Sequence, residues 1–261
     1  MAAACRSWRS ARSRSSSASS QSPASSSSAA SDQGRTARRS RATSGATSTT
    51  TSPGASRRVE AVAFDLGAVL IDWNATYLYR SLLPDDEAVR EFLDDVGFAE
   101  WNLALDAGRD WDEAVDWLAS HHPERRALIE AFRDRWEETL GGPIESTVEI
   151  LDELRAGGVR PFALSNWSRR TFDIAAPRFP FLRGFEAVVI SGDVGTTKPD
   201  PRIYRELLAR GRLDAEKTVF IDDNAANIDA AVELGLIGVL YVGPDALRRD
   251  LAALGLPVRP S

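Results

Sequence analysis

The chain has 261 residues, 43% of them hydrophobic, and a formal charge of −6 at pH 7, which is enough for the core of one large or two small domains and includes no apolar run near the roughly 20 residues that span a bilayer. The average joins two unlike parts: ten Arg, 19 Ser and a single acid, Asp32, lie in the first 58 residues, so the remainder carries 22 basic and 37 acidic residues, a charge of −15. An acidic remainder with scattered Lys and Arg argues against nucleic acid as a partner, and because Cys5 is the only cysteine, disulfides, thiolate catalysis and Cys-based metal sites are excluded from Val59 onward.

Residues 1–58 are of low complexity, with too few large apolar side chains to offset the entropy of ordering them, and are expected to be a disordered Ser/Arg-rich tail. Their composition matches a transit peptide, but no amphipathic periodicity supports that reading. Met1 is the only Met, and the change in character at Val59 is also what a start of translation at Val59 would leave. The folded part is expected in a reducing cytoplasm, with small molecules as its ligands and no membrane partner.

From Val59 the sequence alternates short apolar runs with amphipathic stretches. "VEAVAF", "RPFALS", "EAVVIS", "TVFI" and "IGVLYV" read as parallel strands covered on both faces. "PIESTVEILDELRAGG" places Ile144, Val148, Leu151 and Leu154 on one helical face. "KPDPRIYRELLARG" has Asp200 as N-cap and Pro201 at the first helical position, and "DNAANIDAAVELG" starts with Asn224 as cap. The alternation predicts an α/β fold with an open, Rossmann-type parallel sheet and right-handed crossovers. From Trp73 to about Gly142 only helical periodicity is visible, too long for a loop. The expected organisation is therefore a core at 59–72 and 144–261 interrupted by an all-helical cap at 73–143. Trp101, Trp111, Trp117 and Trp136 are expected to form that cap's own core, with Trp101 a candidate to face the cleft. His121 and His122 read as a helix end in solvent.

Four segments fall at the ends of consecutive strands: Asp65 in "FDLGAVLID", Ser165 in "ALSNW", Lys198 in "TTKPD", and "DDNAAN" from Asp222 to Asn227. Singly each is weak. At one edge of a parallel sheet they would bring together a nucleophilic carboxylate, a hydroxyl, an ammonium and an acidic pair.

Taken in this order, "FDLGAVLID", "ALSNW", "TTKPDPRIY" and "FIDDNAANIDAA" resemble the haloacid dehalogenase-like (HAD) hydrolase superfamily, over essentially all of residues 59–255. The helical insertion stands where that superfamily's C1-cap members (subfamily I) carry theirs. The Asp-Leu-Gly motif is similar to the branch that includes α-glucose-1-phosphate phosphatase. The resemblance implies a Mg²⁺-dependent phosphatase of a small phosphorylated substrate, sugar phosphates favoured. Asp65 would be the nucleophile forming an aspartyl-phosphate. Asp65, the carbonyl of Gly67 and Asp223 would hold the metal, with Asp222 a neighbouring or alternative ligand. Ser165 and the backbone N–H of Asn166 would bind phosphoryl oxygens, and Lys198 would neutralise charge. Trp73, Asn74 and Trp167, with Trp101 and Asn102, are candidates to contact the substrate.

The departure is Gly67, where most phosphatases of the superfamily have a second Asp as general acid and base. Losing it forfeits about 10² to 10⁴ in rate, which matters least for anomeric sugar phosphates and acyl phosphates. Asp72 is a conceivable substitute, several residues further on. Two rivals remain: a metal-free 2-haloacid dehalogenase using the same Asp, and a non-catalytic binding protein that uses the cap as a partner surface. The acidic pair Asp222 and Asp223 favours a metal, and hence the phosphatase, because unpaired negative charge would otherwise crowd Asp65.

Overall fold

The computed structural model describes residues 58–259; the expected tail lies outside the described residues. Five parallel strands form the main sheet: β1 (Ala61–Phe64), β4 (Arg160–Ser165), β5 (Ala187–Ile190), β6 (Thr218–Asp222) and β7 (Ile237–Leu240), in the order β5-β4-β1-β6-β7. The period of two within "AVAF" explains its burial on both sides. Val62 and Phe64 join one core with Leu151, Leu154, Leu247 and Leu251, while Ala61 and Ala63 join a second with Ile203, Leu207, Phe220 and Ala231. A central strand wholly apolar on both faces has to be sandwiched by helices.

Those helices are α6 (Glu145–Ala156) and α11 (Pro244–Ala253) on the first face and α9 (Pro201–Gly211) and α10 (Ala225–Glu233) on the second. Asp200 and Asn224 cap α9 and α10 as expected, accepting from the N–H groups of Arg202 and Ala226. The buried face of α6 differs from the expected one. Ile144 is its N-cap and Val148 is only partly buried, because the helix begins at Glu145 and turns Thr147, Ile150, Leu151 and Leu154 inward.

Between Trp73 and Leu140 lie five α-helices: α1 (Ala75–Tyr79), α2 (Asp86–Asp95), α3 (Phe98–Asp106), α4 (Trp111–His121) and α5 (Arg126–Asp134). The expectation of helices alone is incomplete. Two short strands, β2 (Ile71–Trp73) and β3 (Leu140–Pro143), pair antiparallel where the insertion leaves and rejoins the sheet. Strands of three and four residues, one of them reading "LGGP", are too short for alternation to register and carry residues otherwise depleted from strands. The insertion packs around Phe132, whose ring lies 4.9 Å from Phe98, 5.5 Å from Trp101 and 5.6 Å from Trp111. Among the described residues no helix is long and apolar enough to cross a membrane. Two shorter helices, α7 (Arg169–Ala175) and α8 (Ser191–Val194), follow β4 and β5.

Candidate active site

The strand order changes direction around β1: the chain runs outward through β4 and β5 on one side and through β6 and β7 on the other. Open parallel sheets bind ligands at such a point, beyond the carboxyl ends of the strands. Asp65 follows β1 there, its N–H donating to the Ile221 carbonyl at 2.8 Å. Ser165 ends β4 and Asp222 ends β6, the two strands flanking β1. Lys198 enters from the segment between α8 and α9, and its peptide bond to Pro199 is cis.

These side chains form one connected polar group. Asp65 Oδ1 accepts from Ser165 Oγ at 2.7 Å and from the Leu66 N–H at 2.7 Å, and it lies 2.9 Å from Lys198 Nζ. Lys198 Nζ also donates to Asp222 Oδ2 at 2.6 Å. Burial would pull the lysine's pKa down, but Asp65 and Asp222 outweigh it and hold the ammonium above the usual lysine value. For Asp65, burial pushes the carboxyl up, Lys198 pulls it down and Asp222 pushes it up again, to about 6.

Supporting contacts fix the partners. Asn166 and Lys198 exchange two hydrogen bonds, the Lys198 N–H to Asn166 Oδ1 at 2.7 Å and Asn166 Nδ2 to the Lys198 carbonyl at 3.1 Å. Asn227 Nδ2 donates to both Asp222 oxygens, at 3.0 and 3.1 Å, and the Asn224 N–H donates to Oδ1 at 2.8 Å. Asp222 is thus held by donors on every side and is completely buried, whereas Asp223 is exposed. Partial desolvation of its carboxyl and the charge of Asp222 raise the Asp223 pKa.

Carboxylate oxygens of Asp65, Asp222 and Asp223 lie within 4.8 Å of one another. Three carboxylates against one ammonium leave two negative charges to be balanced. An all-oxygen set of this charge fits a hard divalent ion such as Mg²⁺.

Beside this group is a cavity of about 70 Å³. Gly67, Ser165 and Asn166 line it from the sheet edge, and the rings of Trp73, Trp136 and Trp167 form walls. Asn102 and Asp106, on α3, also line it. Of the residues the sequence singles out, Asp65, Ser165, Lys198, Asp222 and Asp223 come together, and Gly67, Trp73, Asn102, Asn166 and Trp167 border the cavity. Three others are used elsewhere. Asn74 is the N-cap of α1, its Oδ1 accepting from the Thr76 N–H. Trp101 faces the insertion's own core, and its Nε1 donates to the Ala114 carbonyl at 3.1 Å. Asp72 accepts from the Tyr77 hydroxyl at 2.9 and 3.0 Å. His121 is exposed, its ring 4.2 Å from that of Trp117 in a tilted contact.

Sequence reasoning missed Asn227, Trp136 and Asp106. Asn227 carried a signal, five residues after Asp222 and one helical turn past the cap Asn224. Trp136 was indistinguishable from the core tryptophans, and Asp106 from the solvated acids of an acidic helical stretch.

Comparison with known proteins gives the wider context. The sequence pattern of haloacid dehalogenase-like hydrolases matches residues 51–235. The chain belongs to the haloacid dehalogenase-like hydrolase family. It is 28% identical to drimenol cyclase drtB of Aspergillus calidoustus over 74% of its own length, but spans only 36% of that protein. It is 24% identical to the GMP/IMP nucleotidase YrfG of Escherichia coli, over 72% of this chain and 85% of the relative. Among solved structures, a HAD family enzyme from Bacteroides thetaiotaomicron in complex with magnesium and inorganic phosphate superposes with a TM-score of 0.54, covering 70% of this chain and 93% of that one. At 22% identity that likeness is one of fold. The HAD relatives include phosphatases, and this chain is a hydrolase of the same family.

Proposed function

We propose that this hydrolase is a magnesium-dependent phosphatase of a small organic phosphomonoester, with Asp65 as nucleophile. The observation that carries the reading is the trio Asp65, Asp222 and Asp223, whose carboxylate oxygens lie within 4.8 Å of one another, with the buried Lys198 paired to Asp65 and Asp222. Such a cluster is costly to assemble unless a divalent ion completes it.

In this reading Asp65 attacks phosphorus and carries the phosphoryl group until water displaces it. Ser165 Oγ and the Asn166 N–H hold the phosphoryl oxygens, and Lys198 offsets charge on both phosphate and Asp65. Asp65, the Gly67 carbonyl and Asp223 would hold Mg²⁺, while Asp222, already saturated by Lys198, Asn227 and the Asn224 N–H, keeps Lys198 in place. When bound, the ion supplies the positive charge that lets a carboxylate approach a phosphate dianion. The helical insertion serves as the cap, and the Trp73, Trp136 and Trp167 rings give the organic group a face to lie against. On Gly67 alone the substrate class narrows to anomeric sugar phosphates, as in the α-glucose-1-phosphate phosphatase branch, and acyl phosphates.

The test is phosphate release from a panel of phosphomonoesters with Mg²⁺ or with EDTA, run beside chloride release from 2-chloropropionate. Phosphate release that EDTA abolishes is expected. Chloride release in EDTA would instead establish the dehalogenase, a reading supported by the missing second acid.

A further inference from the structure

We propose that Asp106, at the end of α3, is the general acid and base of this site and stands in for the side chain that Gly67 lacks. The assignment rests on the phosphatase reading above. A Cβ built on Gly67 has no atom within 4 Å, so the space an acid would fill there is open. That space belongs to the cavity that Gly67 and Ser165 share with Asp106. Asp106 and the gap left by the glycine therefore border the same cavity.

Asp106 is held there. Ser191 Oγ donates to its carbonyl at 2.5 Å, tying the end of α3 to the segment that follows β5. Asn102 Nδ2, one turn earlier on the same helix, donates to its Oδ2 at 3.0 Å. Burial pushes the carboxyl up, the Ser168 backbone N–H pulls it down and the charge of Asp65 pushes it up, to about 8. The shift is in the direction a general acid needs. The alternative nearer in sequence, Asp72, is engaged by Tyr77.

The proton balance closes on this residue. As Asp65 forms its bond to phosphorus, the P–O bond to the leaving group breaks and its electron pair passes to the ester oxygen. The carboxyl O–H of Asp106 protonates that oxygen, giving a neutral alcohol and an Asp106 carboxylate. The carboxylate then takes a proton from the water that attacks the phosphorus. This restores the acid and frees Asp65 and inorganic phosphate. With Asp106 in this role, simple alkyl phosphates are no longer excluded as substrates.

Steady-state rates with Mg²⁺ would be measured for the full chain, for D106N and for the double variant G67D/D106N, on phosphomonoesters ranging from p-nitrophenyl phosphate to alkyl phosphates. D106N is expected to lose about 10² to 10⁴ in kcat/KM on alkyl esters and less than about tenfold on the p-nitrophenyl ester, whose leaving group needs no proton. G67D/D106N is expected to regain much of the alkyl activity, since the position has room for the side chain and lacks a positive φ. A loss equal across the series, or no loss, would overturn the role of Asp106 while leaving the phosphatase reading intact. Absence of any Mg²⁺-dependent phosphate release by the unmodified chain would overturn both.

Discussion

Among the described residues Lys198 is the only cation inside the acidic group, 1% exposed and shared between Asp65 at 2.9 Å and Asp222 at 2.6 Å. Removing one partner of a buried ion pair costs about 3–5 kcal/mol, because the remaining charge is stranded. Lys198→Met should therefore lower stability by about that amount in urea titrations without metal. Saturating Mg²⁺ should recover part of the loss, by binding the folded state alone. A second expectation concerns Asp65. A metal ligand has to be deprotonated, and burial raises this carboxyl to about 6. Mg²⁺ affinity measured by calorimetry should be fully present above that pH, and should fall as pH drops through it, by about tenfold per unit for one proton. The meeting of Asp65, Ser165 and Lys198 was legible because each stands in a short, characteristic motif, although Lys198 lies in the segment between α8 and α9 rather than at a strand end as expected. Asp106 was not, because its importance depends on where a helix ends in space, and no pattern along the chain separates it from Asp94 or Asp95.

At the scale of elements, the helical insertion is organised by aromatic packing. Phe132 is fully buried and contacts Phe98, Trp101 and Trp111, so Phe132→Ala should cost about 3–5 kcal/mol, read from the urea midpoint. Another element carries a pH-dependent tie. Glu153 on α6 accepts from Arg248 Nη1 on α11 at 2.6 Å and from the Arg259 N–H at 2.7 Å. Burial alone would raise its carboxyl, but these bonds outweigh burial and bring it down to about 2. The folded pKa lies below the unfolded one, so the stabilisation is complete above the ordinary Glu range and is lost as pH falls toward 2. The stability gap between the unmodified chain and Glu153→Gln should accordingly narrow from pH 6 to pH 3. Strands β4 and β6 and helices α9 and α10 could be read from the sequence because continuous apolar runs and caps are local signals. The β2–β3 pair could not, since its stability comes from partners some 70 residues apart in sequence rather than from propensity.

For the whole molecule, the order of apolar runs was sufficient to predict a parallel sheet interrupted once, and the sheet has that form. It could not say which wall of the insertion meets the sheet edge: Trp73 and Trp136 reach the cavity, whereas Trp101 turns inward. Side-chain direction is decided by packing between elements, which composition and periodicity do not encode. The sheet edge brings Asp65, Lys198 and the acidic pair Asp222 and Asp223 together, and the function proposed for the chain depends on that meeting. Its central claim is that Asp65 itself accepts a phosphoryl group. The most direct test is to quench the turning-over enzyme in acid and map the covalent adduct by peptide mass spectrometry. A phosphoryl group on the peptide containing Asp65, formed with Mg²⁺ and absent with EDTA or in Asp65→Asn, is the predicted result. Phosphate turnover with no adduct on that peptide under any quench time, or an ester formed there from 2-chloropropionate in EDTA, would contradict it.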